Sequence, residues 1–367
     1  MDKKNILMII PSLKLGGGAE KVASTIGSEL QKRGDNIFYL TFYDFKEKYE
    51  FLGKEICLHE NFSNNLLIKI FKLFKRAYFI KNYKKKYNVT ICLSFMEEAN
   101  FPNILSKMLF KNKAKIMVSI RQSIDSMPKF YQSLIKLLYH KADSVIPNSE
   151  EERINIIKTY SIAENKIKMI HNPLNLELIH KKSQEQVGKY ENLFKDNYFT
   201  FITVGRLTFS KDQQFLIDVF IKFNKKHPKS QLLIVGDGEL IDTLIQLSKN
   251  NKNIHVLGNQ KNVYKFLNKS DCFIFSSLRE GFPNAILEAM ACGLPIISTK
   301  FKTGITEIIG KNKYGILIDQ NDEKLFFEAM EKIYLDKDIR NHYEQKSLER
   351  AKDFEIGKII DRWKNVL

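Results

Sequence analysis

Two glutamates stand eight residues apart in SSLREGFPNAILEAMACGLPIIST, a stretch that begins at Ser276 and places a Gly-Phe-Pro turn between them. The apolar run DCFIFSS ahead of them reads as a buried strand, LREG as the loop leaving it, and NAILEAMAC as a helix opened by Pro283 and Asn284. In so apolar a helix a carboxylate at Glu288 has little cause to be present unless it meets a ligand. An ionised carboxylate is a pure acceptor with several lone-pair sites, which suits a pair of sugar hydroxyls, and Glu280 can serve a second sugar in the same way. Asn284 lies one helical turn before Glu288, which predicts a shared polar face. The amides of Gly281, Phe282 and Asn284 can meet an anion between the two acids, where Pro283 has no N–H to give. The matching ligand is hydroxylated at both ends and anionic in the middle.

A second constellation lies in TFITVGRLTFSKDQQFLIDVF. A strand ends at Val204, a glycine turn follows, and Arg206 and Lys211 flank the start of a helix that Ser210 is expected to cap. Two cations beside a helix N-terminus suit a diphosphate whose charge grows as a bond breaks, although the same pair can equally be solvated surface charge. Near the start, Gly16, Gly17 and Gly18 sit between the first strand and the first helix. Their N–H groups favour an anion or polar hydroxyls; the plain alternative is a tight βα turn. The spacing is not G-x-G-x-x-G and no Walker lysine follows, so neither a dinucleotide fingerprint nor a P-loop is present. VGDGEL, with Gly236 and Gly238, reads as a packing turn. Glu97 and Glu98 in SFMEEANF end another strand and are placed either to orient an acceptor hydroxyl or to cap the next helix.

The elements that must position these residues alternate along the chain. The apolar runs NILMIIP, NIFYLTFY, VTICLSF, KIMVSI and DSVIPNS are separated by helical stretches, and after residue 197 the rhythm resumes with NYFTFITVG, QLLIVGDG, NIHVLG, DCFIFSS, LPIISTK and YGILID. Continuous apolar strands with helices between them indicate parallel sheets covered on both faces. The expected fold is therefore α/β, with two doubly wound Rossmann-like domains over residues 1–185 and 186–350. A C-terminal helix over 351–367 is able to pack back on the first domain. The polar segment ELIHKKSQEQVGKYENLFKDN reads as a linker or domain-edge helix. Ligands are expected beyond the carboxyl ends of the strands, at a central cleft that the two domains face.

Composition limits the alternatives. The chain has 367 residues, 44% of them hydrophobic, and a formal charge of +17. Such a charge suits nucleic acid, an anionic membrane surface or anionic substrates, or else reflects a general use of lysine. A nucleic-acid binder wants a recognition module or aromatics on a sheet surface, and two cleft carboxylates would repel a phosphate backbone, so nucleic acid is not expected as a partner. Cys57, Cys92, Cys272 and Cys292 form no C-x-x-C pair, which argues against zinc and a disulfide framework. The opening apolar run is broken by Pro11 and reads as a strand rather than a signal peptide, and no stretch reaches transmembrane length. LLIKIFKLFKRAYFIKNYKKKY, from Leu66, holds eight Lys or Arg and no acid among large apolar residues. It reads as an amphipathic basic helix suited to anionic lipid, or as a covering helix with solvated lysines.

Taken in order along nearly the full chain, GGGAEK, GRLTFSKDQ, VGDGEL and the E-x7-E of EGFPNAILEAMACGLPII resemble the retaining glycosyltransferases of family 4, which have the GT-B fold. The resemblance implies that Arg206 and Lys211 hold the nucleotide diphosphate and stabilise its departure, with Glu280 beside the donor sugar ring and Glu288 on the nucleotide ribose. It implies that the backbone from Gly281 through Phe282 to Asn284 contacts sugar and phosphate, and that Gly17 and Gly18 belong to a loop over the donor phosphate and acceptor. The base is expected along the loop from Gly258 to Val263, and no metal or other cofactor is needed. Where many relatives have a histidine on a donor sugar hydroxyl, this chain offers Arg121. Arginine can donate hydrogen bonds but is no base at neutral pH, which leaves it a polar or acceptor-phosphate role.

The activity so implied is transfer of a hexose or N-acetylhexosamine from a UDP-sugar, with retention. The expected acceptor is a lipid-linked glycan of bacterial surface polysaccharide, lipopolysaccharide or protein-glycan assembly. The expected location is cytoplasmic, peripheral to the inner face of the plasma membrane. A GT-B nucleotide-sugar epimerase or a soluble-acceptor hexosyltransferase is the alternative within the fold.

Overall fold

The computed structural model describes residues 3–194 and 197–367. The chain forms two compact units, one of Met1–Pro173 with Gly357–Leu367 and the other of Leu174–Ile356. In the first unit the strands β1 (Asn5–Ile10), β2 (Asn36–Thr41), β3 (Lys54–Cys57), β4 (Ile91–Phe95), β5 (Lys115–Ser119) and β6 (Ser144–Ile146) form one sheet in the order β3-β2-β1-β4-β5-β6. In the second, β7 (Phe199–Val204), β8 (Ser230–Val235), β9 (Ile254–Gly258), β10 (Cys272–Phe275), β11 (Ile296–Thr299) and β12 (Ile316–Ile318) are ordered β12-β11-β10-β7-β8-β9. All pairings between these strands are parallel. Each sheet starts at its centre, winds to one edge, returns past its first strand and winds to the other. The winding reverses between β1 and β4 and between β7 and β10, and past the carboxyl ends there a crevice opens in a doubly wound sheet.

The apolar runs are continuous because both faces of each sheet are covered. In the second unit Ile202, Leu233, Val235, Phe273, Phe275 and Ile296 pack on one face. Their neighbours Phe201, Leu232, Ile234, Cys272, Ile274 and Ile297 pack on the other. The first unit does the same with Leu7 and Ile9 in one cluster, while Ile6, Met8 and Ile10 between them are also fully buried. The strand β3 has no such run: KEIC is short, lies at a sheet edge and starts on an exposed lysine, so hydrophobicity does not announce it.

The units do not divide at residues 185 and 350. The Leu174 N–H donates to the Phe354 carbonyl at 2.8 Å and the Ile356 N–H donates to the Leu174 carbonyl at 2.9 Å. Leu174 and Ile179 enter the second core, and Asn262 Nδ2 donates to the Lys182 carbonyl at 2.8 Å. The helix Leu176–Ser183 is thereby part of the second unit, as are residues 351–356. The remaining polar segment continues as a short 3-10 stretch, Gly188–Phe194; its residues 195–196 lie outside the described residues. The helix Ile356–Val366 returns to the first unit, burying Ile359, Ile360 and Trp363. Arg33 bonds Asp361, and Lys115 Nζ donates to the Val366 carbonyl at 2.5 Å.

Candidate active site

In the second unit the two loops at the winding reversal meet. The chain leaving β7 turns at Gly205 and carries Arg206 and Lys211; the chain leaving β10 carries Ser276, Ser277 and Glu280. Lys211 Nζ pairs with Glu280 Oε1, and Ser277 Oγ donates to the same oxygen at 2.7 Å. Both side chains of the pair are only 15% exposed. The Ser276 hydroxyl donates to the carbonyls of Lys211 at 2.9 Å and Asp212 at 2.7 Å, and the Leu278 N–H donates to the Ser210 carbonyl at 2.9 Å. The loops are thus fastened together by backbone and hydroxyl contacts beneath the charged pair. Arg206 is exposed, and among the described residues its side chain has no ion pair. Its carbonyl accepts from Gln213 Nε2 at 2.9 Å and from the Thr208 N–H at 3.1 Å.

The turn itself depends on glycine. A Cβ on Gly236 would fall 1.8 Å from the Gly205 carbonyl oxygen, and one on Gly238 would fall 2.3 Å from that of Leu207. The Gly205 N–H donates to Val235 at 3.0 Å and the Leu207 N–H to Asp237 at 2.9 Å, so VGDGEL is the bed on which the cation-bearing turn lies. Ser210 does not cap the following helix. That helix, Gln213–Lys226, starts after Asp212 in the left-handed region, and a short 3-10 turn, Phe209–Lys211, intervenes. The Ser210 hydroxyl instead lies 3.1 Å from that of Thr208.

The helix Asn284–Ala291 follows Pro283. Its Glu288 does not lie on a solvated polar face: it is 6% exposed, among buried Ile286, Leu287, Ala289 and Met290. The Cys292 thiol is pushed up to about 12, first by burial and then by the Glu288 charge. The Phe282 side chain is core, 5.6 Å from the Phe354 ring. Asn284 is half-buried. Sequence reasoning missed Ser276, Ser277 and Thr303. Thr303 is buried, sits at φ 76° and donates its hydroxyl to the Glu280 carbonyl. A β-branched residue held at positive φ marks a backbone fixed by its surroundings. The only signal for it in sequence is a Thr-Gly after LPIISTK.

The loop from Gly258 to Val263 is likewise anchored. The Gly258 carbonyl accepts from Gly236 at 3.0 Å, Gln260 Nε2 donates to Leu257 at 2.7 Å, and Asn262 Oδ1 accepts from the Tyr264 N–H at 3.0 Å. Val263 packs its side chain on the core.

In the first unit the winding reversal lies between the glycine turn after β1 and the acids after β4. Gly17 precedes the helix Gly18–Lys32. A Cβ there would fall 2.0 Å from the Glu20 carboxylate, so an acid already folds over this helix N-terminus, where the helix dipole favours it. Glu97 and Glu98 part company. Glu98 accepts from Arg76 Nη1 at 2.9 Å and from the Tyr43 hydroxyl. Glu97 is buried at the first turn of the helix Glu97–Phe110, accepts from the Tyr139 hydroxyl at 3.3 Å, and is raised by burial to about 7. Arg121, just past β5, donates from Nη1 to Asn172 Oδ1 at 2.8 Å. Its guanidinium lies 5.2 Å from the Phe95 ring centre and 5.7 Å from that of Trp363. Burial pulls it down to about 9, which leaves it a cation at neutral pH.

The basic segment is the helix Leu66–Lys86, capped by Asn65 Oδ1 on the N–H groups of Leu67 and Ile68. Its first turns stand in solvent: Leu67 is 76% exposed and Phe71 67%, with Leu66, Ile68, Ile70, Phe74 and Tyr78 also exposed. Lys69, Lys75, Lys85 and Lys86 are exposed too. Two of its cations are not solvated, because Arg76 is buried on Glu60 and Glu98 and Lys84 is buried on the Ser106 hydroxyl at 2.6 Å. Among the described residues no helix is long and apolar enough to cross a membrane, and no group of His, Cys, Asp or Glu is placed to hold a metal.

Comparison with known proteins gives the family and the fold. Residues 16–178 match the model for Glycosyltransferase Family 4, and residues 185–350 match that for Glycosyl transferases group 1. The chain is 36% identical to an uncharacterized glycosyltransferase of Methanocaldococcus jannaschii, over 89% of this chain and 91% of that one. It is 29% identical, over 94% of each, to the N-acetylgalactosamine-N,N'-diacetylbacillosaminyl-diphospho-undecaprenol 4-alpha-N-acetylgalactosaminyltransferase of Campylobacter jejuni. Among solved structures, HepE of Anabaena in complex with UDP-glucose superposes with a TM-score of 0.80 at 18% identity, covering 99% of this chain and 100% of that one. The chain belongs to the family 4 glycosyltransferases, enzymes of the GT-B fold.

Proposed function

We propose that the protein transfers a hexose or N-acetylhexosamine, with retention, from a UDP-sugar to a hydroxyl of a lipid-linked glycan in the assembly of a bacterial surface polysaccharide, lipopolysaccharide or protein glycan. The observation that carries this reading is the Lys211–Glu280 pair fastened at the winding reversal of the second unit, with Arg206 unpaired beside it. An incoming diphosphate meets Arg206 first and then competes with Glu280 for Lys211. As the lysine turns to phosphate, the Glu280 carboxylate is released toward the donor sugar. Glu288 holds the ribose, the backbone of Gly281, Phe282 and Asn284 lines the sugar and phosphate, and the loop from Gly258 to Val263 takes the base. Gly17, Gly18 and Glu97 serve the acceptor side.

In the chemical step the bond from the anomeric carbon to the diphosphate oxygen breaks and one to the acceptor oxygen forms on the same face. The acceptor proton passes to the departing diphosphate, so no protein nucleophile is required. Arg206 and Lys211 act on charge that develops in the transition state, which is where binding accelerates a reaction. The substrate classes are supported by relatives: the Campylobacter enzyme is named for a diphospho-undecaprenol-linked acceptor, and HepE holds UDP-glucose. The exposed apolar and basic residues of the helix Leu66–Lys86 support peripheral attachment to an anionic inner leaflet, from the cytoplasmic side.

The test is a panel of nucleotide sugars scored for nucleotide release with and without a polyprenyl-diphosphate glycan. Release from one UDP-sugar that depends on the acceptor is the expected result. Consumption of no donor, or conversion of the donor to an epimer without acceptor, would overturn the proposal.

A further inference from the structure

Arg121 presents a problem of charge that the donor site does not solve. Arg121 is half-buried; its Nε and Nη2 are shielded from solvent and, among the described residues, have no hydrogen-bond partner, while Nη1 is satisfied by the neutral amide of Asn172. Phe95 and Trp363 flank the guanidinium, and the Trp363 indole N–H is a further buried donor with no partner among the described residues. One strand over, Asn148 follows β6 as Arg121 follows β5, with Ser119 and Ile146 paired between them. Its Nδ2 is also buried and unpartnered. Buried donors are normally paired, and a buried cation needs an anion or it costs stability. Among the described residues no carboxylate pairs with Arg121, and burial pulls its guanidinium down to about 9.

We infer that Arg121, with the Trp363 indole N–H and the Asn148 amide, forms a phosphate-binding subsite at the carboxyl ends of β5 and β6. The chemistry is that of a phosphate or diphosphate oxygen meeting Nε and Nη2 side by side, the geometry in which arginine binds oxyanions. The phosphate can belong to the acceptor's lipid diphosphate or to the nucleotide. The inference deepens the proposed reading and rests on it for the identity of the ligand, but not for the existence of the site.

The experiment follows the thermal midpoint and calorimetric binding of the full chain with inorganic pyrophosphate, alone and in the presence of saturating UDP. Wild type is expected to bind pyrophosphate at least tenfold more tightly than Arg121→Met. The same variant is expected to melt higher than wild type without ligand, because a half-buried charge with no anion beside it is gone; a merely structural arginine would make it melt lower. Arg121→Lys keeps the charge but not the fork, and is expected to fold and to bind several-fold more weakly than wild type. A pyrophosphate site that persists under UDP belongs to the acceptor, and one displaced by UDP belongs to the nucleotide. Equal pyrophosphate binding by wild type, Arg121→Met and Arg121→Lys, or no binding by wild type, would overturn the inference. The UDP titration reports separately on the donor site, so loss of UDP binding with retained pyrophosphate binding would sink the donor reading alone.

Discussion

The two units share one strand order, yet the place where the winding reverses is furnished differently in each. In the second unit it holds an ion pair, Lys211 with Glu280, fastened by serine hydroxyls and a buried threonine. In the first it holds a glycine turn with Glu20 folded over it and a buried carboxyl, Glu97, raised by burial to about 7. A doubly wound sheet supplies the crevice, and the loops on it supply the chemistry. The contrast fits the proposed reading, in which the second unit takes the nucleotide diphosphate and the first unit takes the acceptor.

The contrast breaks most completely if the turn under Arg206 can be moved. Gly236→Ala forces a methyl onto the Gly205 carbonyl and is expected to cost roughly 4 kcal/mol or more of stability, read by denaturant unfolding. A variant that unfolds with the wild-type midpoint would show that this turn has slack. Lys211→Ala is expected to lower kcat by roughly 10²–10³-fold, about 3–4 kcal/mol in the barrier, while the fold is kept. An unchanged kcat would remove the cation from the chemistry.

On the first unit's side, Glu97 gives a pH test. Its folded carboxyl titrates near 7 and its unfolded one near the ordinary value of 4.5. Between these pH values the folded state holds a proton that the unfolded state has released. Stability therefore falls as pH rises through that window, by up to roughly 3 kcal/mol. Glu97→Gln should flatten that fall and be the more stable protein at pH 8, measured by urea unfolding at a series of pH values. A parallel pH profile in both proteins would show that the carboxyl is not shielded as described. The smallest effect concerns the membrane. Replacing exposed Lys69 and Lys75 by Gln should weaken binding to anionic vesicles at low salt by about 2 kcal/mol, roughly thirtyfold, and leave zwitterionic vesicles unaffected. Equal partitioning of variant and wild type would leave the helix a plain covering element.

Much of this arrangement is legible in the residues. Eleven of the twelve strands fall on apolar runs, since most of them are buried on both faces, and β3 escapes because KEIC is short, half polar and begins on an exposed lysine. The cations at 206 and 211 and the acids at 280 and 288 stand out by type and spacing. What sequence does not carry is partnership across distance. Arg76 and Lys84 look like their solvated neighbours until Glu60, Glu98 and Ser106 arrive from other elements. The unit boundary is fixed by Leu174 meeting Phe354 and Ile356, far along the chain. Ser276 and Ser277 just past β10 and Thr303 in the loop after β11 are ordinary hydroxyls, and only the position of Glu280 gives them meaning.

Hydrogen–deuterium exchange of the full chain with and without UDP tests most directly whether the nucleotide belongs to the second unit. Slower exchange is predicted at amides within 205–211, 258–264 and 280–288, with Glu288→Ala losing that protection at the same UDP concentration. Protection confined to the first unit, with those three segments unchanged, would contradict it.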